Sequence, residues 1–358
     1  MNILYTNFHR GLGGGHTTYI LSLLKNPEHK KVVACPPTSR LYAILRDEGY
    51  PLLYGLDFPS RIGELRAIVK NVRALKNIIE KEDIDIVHTN GSPDNRMALY
   101  ASLCGKKTFR TVFTKHNILP IKGLISQYRF NHFNQAVIFV SATILDALAL
   151  RRDSPRYHVI ENCIDLSYWH KNEPVQTGDH LTLASNAGAS PRKGWTYLVD
   201  AVASLPEEMK KRLSIVVMGS LYTEDMEREL REAPAKCDIR FTGFLEDTRP
   251  LLEKADIGFV LSYKIETCSF ASREMSGMSL PVMVSDFAGL VNNVDESCGW
   301  VTKPRDADSI RQTLLEILAL SPEKLNGMKF AARKRAEEQF SISKMIGETN
   351  AVYASLSG

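Results

Sequence analysis

Two glutamates separated by seven residues stand in the segment IETCSFASREMSGMSLPVMVSD. Glu266 follows a run typical of a strand, DIGFVLS, and Glu274 falls inside a helix expected to begin near Phe270. A carboxylate on such a helix can accept hydrogen bonds from two hydroxyls of one ribose. Ser269 can cap the helix, whose N-terminal amides then attract an anion. The segment indicates a nucleotide site, although by spacing alone two surface carboxylates are the commoner explanation.

A second candidate site is basic. Arg192 and Lys193 lie in the segment ASPRKGWTYLVDAV, directly after the predicted strand HLTLAS. This loop opens a helix at the carboxyl end of a parallel strand, where a fixed cation is well placed to meet a diphosphate. The alternative is a pair of solvated basic residues in a polar loop.

The first predicted strand runs into a glycine-rich loop, GLGGGHTTYI. Gly11, Gly13, Gly14 and Gly15 permit a tight turn and a close approach of backbone to a ligand, and a helix from His16 then presents its N–H groups. A phosphate-facing or substrate-facing loop is favoured over a merely tight turn. The spacing is not that of a dinucleotide fingerprint, and no acidic residue ends the second strand, KVVACPP, which disfavours a nicotinamide dehydrogenase.

Two histidines close predicted strands, His88 in DIDIVHTN and His116 in TVFTKHN. Both are expected to emerge at the carboxyl edge of the sheet, where ligands bind. A lone histidine is more often a structural residue than a catalyst, and position favours His116 as the one near a reacting centre.

Two Asp-x-Asp triplets are candidates for magnesium ligands. Asp83–Asp85 precedes a strand, at the wrong end of the sheet, and Asp306–Asp308 starts a helix and is typical of a cap. Neither triplet predicts a metal site. The six cysteines include no CxxC pair, so they predict neither a zinc knuckle nor a disulfide framework. We expect no metal and no cofactor.

The elements that position these residues alternate between short β-branched runs and helical stretches, which predicts parallel sheets with crossover helices. The polar stretch LSYWHKNEPVQTGDH interrupts the pattern and is the expected linker. Two open parallel sheets in series predict two Rossmann-like domains with ligands at the strand carboxyl ends, in a cleft between the domains.

Composition and charge narrow the class of protein further. A hydrophobic content of 44% and a charged content of 24% over 358 residues exclude a disordered chain. No apolar stretch approaches the roughly 20 residues of a membrane span, and the start is not typical of a secretory signal, so a cytoplasmic protein is expected. Residues 1–170 carry 22 Lys+Arg against 14 Asp+Glu, and the remainder 23 against 27. The basic half indicates an anionic partner or, equally, ordinary solvation by lysines; no nucleic-acid partner is expected.

Taken in order, these segments resemble the retaining GT-B glycosyltransferases of family four, the glycogen-synthase-like group. The shared pieces are the glycine-rich first loop, DIVH, the strand ending at His116, VSATI, VIENCIDLSYW, the Lys193–Gly194 pair, Glu266-x7-Glu274 and LPVMVSD. Each is weak alone, but their order is specific. The resemblance implies an acceptor domain of residues 1–167 plus about 341–358, with a last helix that crosses back to it, and a donor domain of residues 168–340.

The resemblance also implies residue roles. Lys193 would neutralise the leaving diphosphate, Glu274 would bind the ribose, and His116 and Glu266 would lie beside the donor sugar. The implied donor-binding set is Gly14, Gly15, Arg192, Lys193, Leu245, Glu266, Cys268, Ser269, Phe270 and Glu274. The residues expected on the acceptor side are His16, Asp94, Lys115 and Arg129.

The implied reaction is a retaining, metal-independent transfer of a hexose from a nucleotide diphosphate sugar, with UDP as the expected nucleotide. The acceptor would be an anionic glycan or glycolipid, lipopolysaccharide core being one candidate, and segment 118–133 would touch the inner face of a membrane. The chain departs from the family pattern at Gly188, where an arginine is usual, at Cys268 and at Asn292. These departures keep open a catalytically weak binding or scaffold protein. A GT-B sugar epimerase is a further alternative, with Asp94 as its acid or base.

Overall fold

The strand-forming runs of the first half build one parallel sheet. In the computed structural model of the chain, strands β1 to β7 are Asn2–Thr6, Lys30–Cys35, Leu53–Gly55, Ile86–Thr89, Arg110–Lys115, Ala136–Phe139 and Tyr157–Val159. They lie in the order β3-β2-β1-β4-β5-β6-β7, and their pairings are parallel. Such strands read as continuous apolar runs because helices cover both faces of a parallel sheet.

Helices connect these strands in the alternation that the sequence predicts. Helices α1 to α6 are Gly15–Leu24, Arg40–Asp47, Leu65–Lys81, Ser92–Cys104, Leu124–Tyr128 and Ala142–Ala147, and a π-helical turn, Arg129–Phe133, follows α5. Apolar residues at three- and four-residue spacing predict an amphipathic helix over residues 61–82, and the structure has α3 there. Its apolar residues Val72, Leu75, Ile78 and Ile79 are buried at three- and four-residue spacing.

The second half repeats this architecture. Strands β8 to β13 are Leu181–Ser185, Leu213–Val217, Ile239–Phe241, Ile257–Val260, Val282–Ser285 and Gly299–Thr302, in the order β10-β9-β8-β11-β12-β13, with parallel pairings. Helices α7 to α13 are Trp195–Ala203, Glu207–Lys210, Arg249–Leu252, Phe270–Gly277, Ala307–Leu318, Pro322–Gln339 and Ile342–Ser355. The predicted pair of Rossmann-like parallel-sheet domains is confirmed.

The structure describes residues 1–11, 14–59, 62–171, 178–220, 232–264 and 266–356. Gly13 lies outside these ranges, and so do the residues near Asp225, for which the sequence pattern predicts a helix. The chain divides into two units, the first of Met1–Asn162 with Met345–Gly358 and the second of Cys163–Lys344. Most of α13 therefore belongs to the first unit. None of the helices in the described ranges combines the length and the apolar character that crossing a bilayer requires.

Each sheet has one point where the strand order reverses direction. In the first sheet this point lies between β1 and β4, and in the second it lies between β8 and β11. In open parallel sheets, ligands bind beyond the carboxyl ends of the strands at such a switch point. The loops that follow these four strands are therefore the places to look for functional side chains.

Candidate active site

A lysine and a glutamate meet at the switch point of the second sheet. Lys193 ends a 3-10 turn, Pro191–Lys193, before α7, and Glu266 lies in the loop after β11. Lys193 Nζ is 2.9 Å from Glu266 Oε2, and the two side chains are 26% and 12% exposed. Glu266 Oε2 also accepts from the Ser262 hydroxyl at 3.3 Å, and Oε1 accepts from the Thr267 amide at 3.3 Å. An ammonium group and a carboxylate are thus held together while both keep some accessible surface.

The shape of the lysine loop depends on Gly194. Its φ is +80°, in the left-handed region, and a Cβ atom here would lie 2.0 Å from the carbonyl oxygen of Leu261. Only glycine lets the backbone pass this close to the end of β11. The indole of the next residue, Trp195, donates to the Ala189 carbonyl at 2.8 Å and fixes the start of α7.

Glu274 is held by a residue from the neighbouring strand end. Asn186 follows Ser185, the last residue of β8, and its Nδ2 donates to Glu274 Oε2 at 2.7 Å. Both side chains are half-buried. Burial raises the pKa of Glu274 to about 7, and the hydrogen bond from Asn186 opposes this shift.

Helix α10 begins as the sequence predicts. The hydroxyl of Ser269 accepts from the Ser272 amide at 3.4 Å and caps the helix. Cys268 is buried, and its carbonyl accepts from Asn293 at 2.8 Å, which holds the loop against the sheet. Phe270, the first residue of α10, is half-buried. The amides at this helix start are therefore rigidly placed on the carboxyl side of β11.

The other predicted donor residues of the second unit occupy its loops. Arg192 is exposed beside Lys193, and Leu245 is half-buried in the loop after β10. Gly188, where the family resemblance implies an arginine, has a φ of +102°, and nothing lies within 4 Å of a Cβ atom placed there. An arginine at this position would have space for its Cβ atom but a strained backbone.

Asn90 organises the switch point of the first sheet. It follows β4, and its Oδ1 accepts from His116 Nε2 at 2.5 Å. The Asn90 carbonyl accepts from His16 Nδ1 at 3.0 Å, and its Nδ2 donates to the His16 carbonyl at 2.9 Å. The rings of His16 and His116 lie 4.1 Å apart, and that of His9 lies 4.2 Å from His16. One amide thereby joins the predicted His116 and His16.

These histidines are neutral in the folded protein. Burial is the main cause that lowers the pKa of His116 well below its usual value and that of His16 to about 3. Because an amide or carbonyl oxygen can only accept, His116 carries its proton on Nε2 and His16 on Nδ1. Neutral imidazoles with fixed tautomers suit the recognition of hydroxyl groups.

The prediction that His88 emerges at the edge of the sheet is wrong. Its side chain is fully buried. Its Nδ1 lies 2.5 Å from the Tyr353 hydroxyl of α13, and its Nε2 lies 2.6 Å from Thr114 Oγ1. The last helix of the chain therefore covers this side of the first sheet and turns His88 into a core residue.

Asp94 supports the same loop from inside. It is fully buried in the first turn of α4, where Oδ2 accepts from the Thr6 hydroxyl at 2.7 Å and from the Asn90 amide at 2.8 Å. Burial raises the pKa of Asp94 to about 7. Its carboxyl group ties the ends of β1 and β4 together and has no exposed surface for a direct contact with an acceptor.

The two predicted acceptor-side cations hold loops. Lys115 Nζ donates to the Asn117 carbonyl and Oδ1, each at 2.5 Å, and to the Leu119 carbonyl at 3.0 Å. The Arg129 guanidinium donates to the Ser92 carbonyl at 2.6 Å and to two serine hydroxyls at 3.0 Å. Burial lowers the pKa of Lys115 to about 8 and that of Arg129 to about 10.

A cavity of about 630 Å³ in the first unit brings several of these residues together. Its lining includes Phe8, His9, His16, His116, Lys122 and Phe130. No acidic side chain from the described part of the chain lines it. The cavity therefore presents neutral imidazoles and aromatic rings, with one exposed ammonium group, that of Lys122, at its lining.

The described glycines of the glycine-rich loop lie at a helix start, and one aspartate of each Asp-x-Asp triplet caps a helix or forms an ion pair. Gly14 and Gly15 are exposed at the start of α1, and the Gly14 carbonyl accepts from the Thr17 amide at 2.8 Å. Asp306 caps α11 through the Ser309 amide at 2.8 Å. Asp83 pairs with Lys107 at 2.5 Å.

Sequence reasoning missed Asn90 and Asn186, although a signal was present. Each is the first residue after a parallel strand at a switch point, in the segments IVHTN and LTLASN. Such positions carry functional side chains more often than the strands themselves.

Comparison with known proteins gives the class. Residues 13–168 match the family described as Glycosyltransferase Family 4, and residues 179–319 match Glycosyl transferases group 1. Together with the two parallel sheets, these matches define the protein as a GT-B glycosyltransferase. The chain belongs to the group 1 and family 4 glycosyltransferases.

Individual relatives are distant in sequence. A stretch of 133 residues is 25% identical to the lipopolysaccharide glucosyltransferase WaaG of Escherichia coli (strain K12), covering 37% of this chain and 35% of that protein. The chain thus matches about a third of that relative's length. The crystal structure of Anabaena Alr3699/HepE in complex with UDP-glucose is similar over 99% of this chain and all of that one, with a TM-score of 0.82 and 19% identity. A glycosyltransferase from Rickettsia africae ESF-5 gives a TM-score of 0.81 and 19% identity, over 99% and 98% of the two chains.

Proposed function

We propose that this glycosyltransferase moves a hexose from a UDP-sugar to a glycan or glycolipid acceptor, with retention of configuration and without a metal ion. The observation that carries the proposal is the Lys193–Glu266 pair, 2.9 Å apart at the switch point of the second sheet. Glu274 lies on the helix that follows the same loop. One ammonium group, one helix start and a second carboxylate near this switch point support the binding of a nucleotide diphosphate there.

The roles of the donor residues follow from their chemistry. Lys193 stabilises the negative charge that grows on the leaving diphosphate, which is the contribution a metal ion would otherwise make. Glu274 accepts hydrogen bonds from the ribose, and Glu266 with the amides near Ser269 holds the sugar and phosphates. UDP-glucose is the first donor to test, because HepE binds UDP-glucose and WaaG is a glucosyltransferase.

The cavity of the first unit is the proposed acceptor site. His16 and His116 face it with fixed tautomers, which suits sugar hydroxyls, and Asp94 supports them through Asn90. We propose that anionic groups of the acceptor lie near Lys122, since Lys115 and Arg129 already bind loop oxygens. A lipopolysaccharide core is one candidate acceptor, suggested by the partial match to WaaG.

A membrane contact is proposed for the segment after β5. Leu119, Leu124, Ile125 and Tyr128 are between 55% and 85% exposed, and Lys122 stands among them. Exposed apolar residues interleaved with a cation suit the interface of an anionic bilayer. This would place the enzyme at the inner face of a membrane, in the cytoplasm.

One observation favours a second candidate, a nucleotide-sugar-binding protein with weak catalysis. The backbone of Gly188 has a φ of +102°, and no arginine stands there to share the diphosphate charge with Lys193. The epimerase alternative loses its acid or base, because Asp94 is fully buried.

The test has two stages. Calorimetry with UDP, GDP and ADP should show binding of UDP and weaker binding of the others. Incubation with UDP-glucose and lipopolysaccharide core oligosaccharide, with and without EDTA, should then give a product whose new linkage is α by NMR, at equal rates. Failure to bind any nucleotide refutes the donor site. Binding without turnover supports the weakly catalytic alternative, and a β linkage refutes retention.

A further inference from the structure

We propose that Asn186 is a positioning residue for Glu274: its side-chain amide holds the Glu274 carboxylate in place as the hydrogen-bond acceptor for the ribose of the donor. The inference rests on the proposed function, which gives Glu274 its role. Among the hydrogen bonds of the described side chains, this is the one that joins Asn186, the residue after β8, to α10, the helix that carries Glu274.

The side-chain amide of Asn186 makes a hydrogen bond through its nitrogen to Glu274. Asn186 Nδ2 donates to Glu274 Oε2 at 2.7 Å, across 88 residues of sequence. The backbone beside Asn186 is fixed, because the Ala187 amide donates to the Ser185 hydroxyl at 3.3 Å. Asn186 Oδ1 is buried without a hydrogen-bond partner among the described residues. A buried acceptor without a hydrogen-bond partner lowers the stability of the folded protein, so a contribution to stability does not by itself explain this amide.

The bond leaves Glu274 able to bind a diol. It occupies Oε2 from one side, and the other oxygen, Oε1, is left for a ligand. A neutral amide donor fixes the carboxylate without cancelling its charge, whereas a lysine or arginine would compete with the ribose by forming an ion pair. The amide is therefore suited to orient an acceptor that must remain an acceptor.

Charged groups near Glu274 are engaged elsewhere. On its own helix, Arg273 donates to Asn293 at 2.9 Å. On α12, which packs against α10, Lys329 pairs with Asp256 at 2.9 Å and Arg333 with Glu337 at 2.6 Å.

Tyr168 is a further titratable group near Glu274, and it also contacts Arg249. Burial, then Asp247, and then Glu274 raise the pKa of Tyr168, so its hydroxyl is neutral near pH 7. Burial favours the neutral form of Glu274, and among the described groups the hydrogen bond from Asn186 is what favours its charged form.

A dependence on pH follows. A protonated Glu274 would lose its charge and one acceptor site, so UDP affinity should fall as the pH drops through about 7. Without the amide, burial acts unopposed and the pKa of Glu274 rises. The same loss of affinity should then begin at higher pH.

Three variants separate position from charge. Asn186→Leu keeps the size and removes the donor; we expect UDP to bind about 10- to 100-fold more weakly at pH 7, as for a lost hydrogen bond to a charged group, and the defect to shrink at pH 9. Asn186→Asp should show the opposite trend, since the two carboxyl groups can share a proton at pH 6 and repel each other at pH 9. Thr182→Val, which alters β8 at its other end and removes only a hydroxyl contact with Ser214, should bind UDP as the native protein does.

Two readouts make the test decisive. The first needs no ligand: the carboxyl carbon of Glu274, labelled with ¹³C and assigned through Glu274→Gln, should titrate at higher pH in Asn186→Leu than in the native protein. The second is 2′-deoxy-UDP, for which the native protein and Asn186→Leu should differ by less than about threefold, because one ribose hydroxyl contact is already lost.

The outcomes distinguish the two hypotheses. An unchanged Glu274 titration in Asn186→Leu and Asn186→Asp overturns the role of Asn186, whether or not UDP binds. Two other outcomes overturn the assignment of Glu274 to the ribose. In both, the Glu274 titration is shifted in the variant, but either the affinity for UDP does not change with pH or the native protein does not bind UDP. Melting temperatures identify a variant that fails to fold, and the isosteric Asn186→Asp then carries the test.

Discussion

Replacing Lys193 by methionine separates a role in folding from a role in transfer. The lysine ammonium lies 2.9 Å from Glu266, and its side chain is 26% exposed. Methionine keeps most of the length of the side chain and its apolar stem but removes the charge. Glu266 would keep its hydrogen bonds from Ser262 and Thr267, so its carboxylate is not left without donors.

The structure sets the two magnitudes far apart. A partly exposed ion pair contributes about 1 kcal/mol or less to the free energy of unfolding, which corresponds to a shift of roughly 2–4 °C in melting temperature. A single charge that stabilises a leaving group is worth about 3–4 kcal/mol in the transition state. Lys193→Met should therefore lower kcat by roughly 10²- to 10³-fold in a protein that is nearly as stable as the native one.

The assay is release of UDP from UDP-glucose in the presence of acceptor, together with a thermal melt. A matched control is Lys236→Met, because Lys236 also pairs with an acidic residue, Asp200, at 2.7 Å but on the exposed surface of the second unit. The control should keep full activity. A Lys193→Met enzyme with native kcat, or one that loses activity only in proportion to its stability, would refute the leaving-group role.

Three further predictions concern the fold and the acceptor site. Burial lowers the pKa of His88 in the folded protein to about 3, so at a pH below the unfolded value of about 6.5 only the unfolded chain binds a proton at this histidine. The free energy of unfolding should therefore fall by roughly 1.4 kcal/mol for each pH unit between these two values because of this group. In urea titrations at several pH values, His88→Gln should show a shallower fall than the native protein. Gly194→Ala places a Cβ atom 2.0 Å from the Leu261 carbonyl oxygen and should lower the free energy of unfolding by at least about 3 kcal/mol. In Gly188→Ala the Cβ atom meets no atom within 4 Å, so the free energy of unfolding should fall by only about 1–2 kcal/mol. Equal urea midpoints for the two variants would contradict this prediction. The Lys115 ammonium holds its loop through three oxygens, and Lys115→Met removes these contacts. The KM for the acceptor should rise about tenfold, while the Kd for UDP stays unchanged. A changed Kd for UDP would instead indicate that Lys115 acts at the donor site.

Local sequence patterns predicted most of the elements. The run NILYT predicts a strand and is β1 with the same bounds. The sequence also predicts helices from Trp195 and Phe270, and helices begin at those residues. These signals are local: β-branched apolar runs form buried strands, and a serine before a helix caps it. They also placed Lys193 and Glu266 after strands β8 and β11, which the sheet order then makes neighbours.

The same patterns favoured His116 as the functional histidine but wrongly placed His88 at the edge of the sheet as well. Both stand near the end of a strand with similar flanking residues, yet one is in the core and the other lines a cavity. The difference comes from Tyr353, which is 265 residues away from His88 in sequence and reaches it from the last helix. A contact at that separation leaves no trace in a local pattern.

By itself the sequence determined the alternation of strands and helices, the parallel sheets that follow from it, and the loops in which chemically capable side chains stand, because these depend on residues a few positions apart. Tertiary structure alone decided which of those side chains meet. Asn186 and Glu274 lie 88 residues apart, and Asn90 and His116 lie 26 apart. Their hydrogen bonds, and the charge states that burial imposes on Glu274 and His116, exist only once the strand order has brought the carboxyl ends of distant strands together.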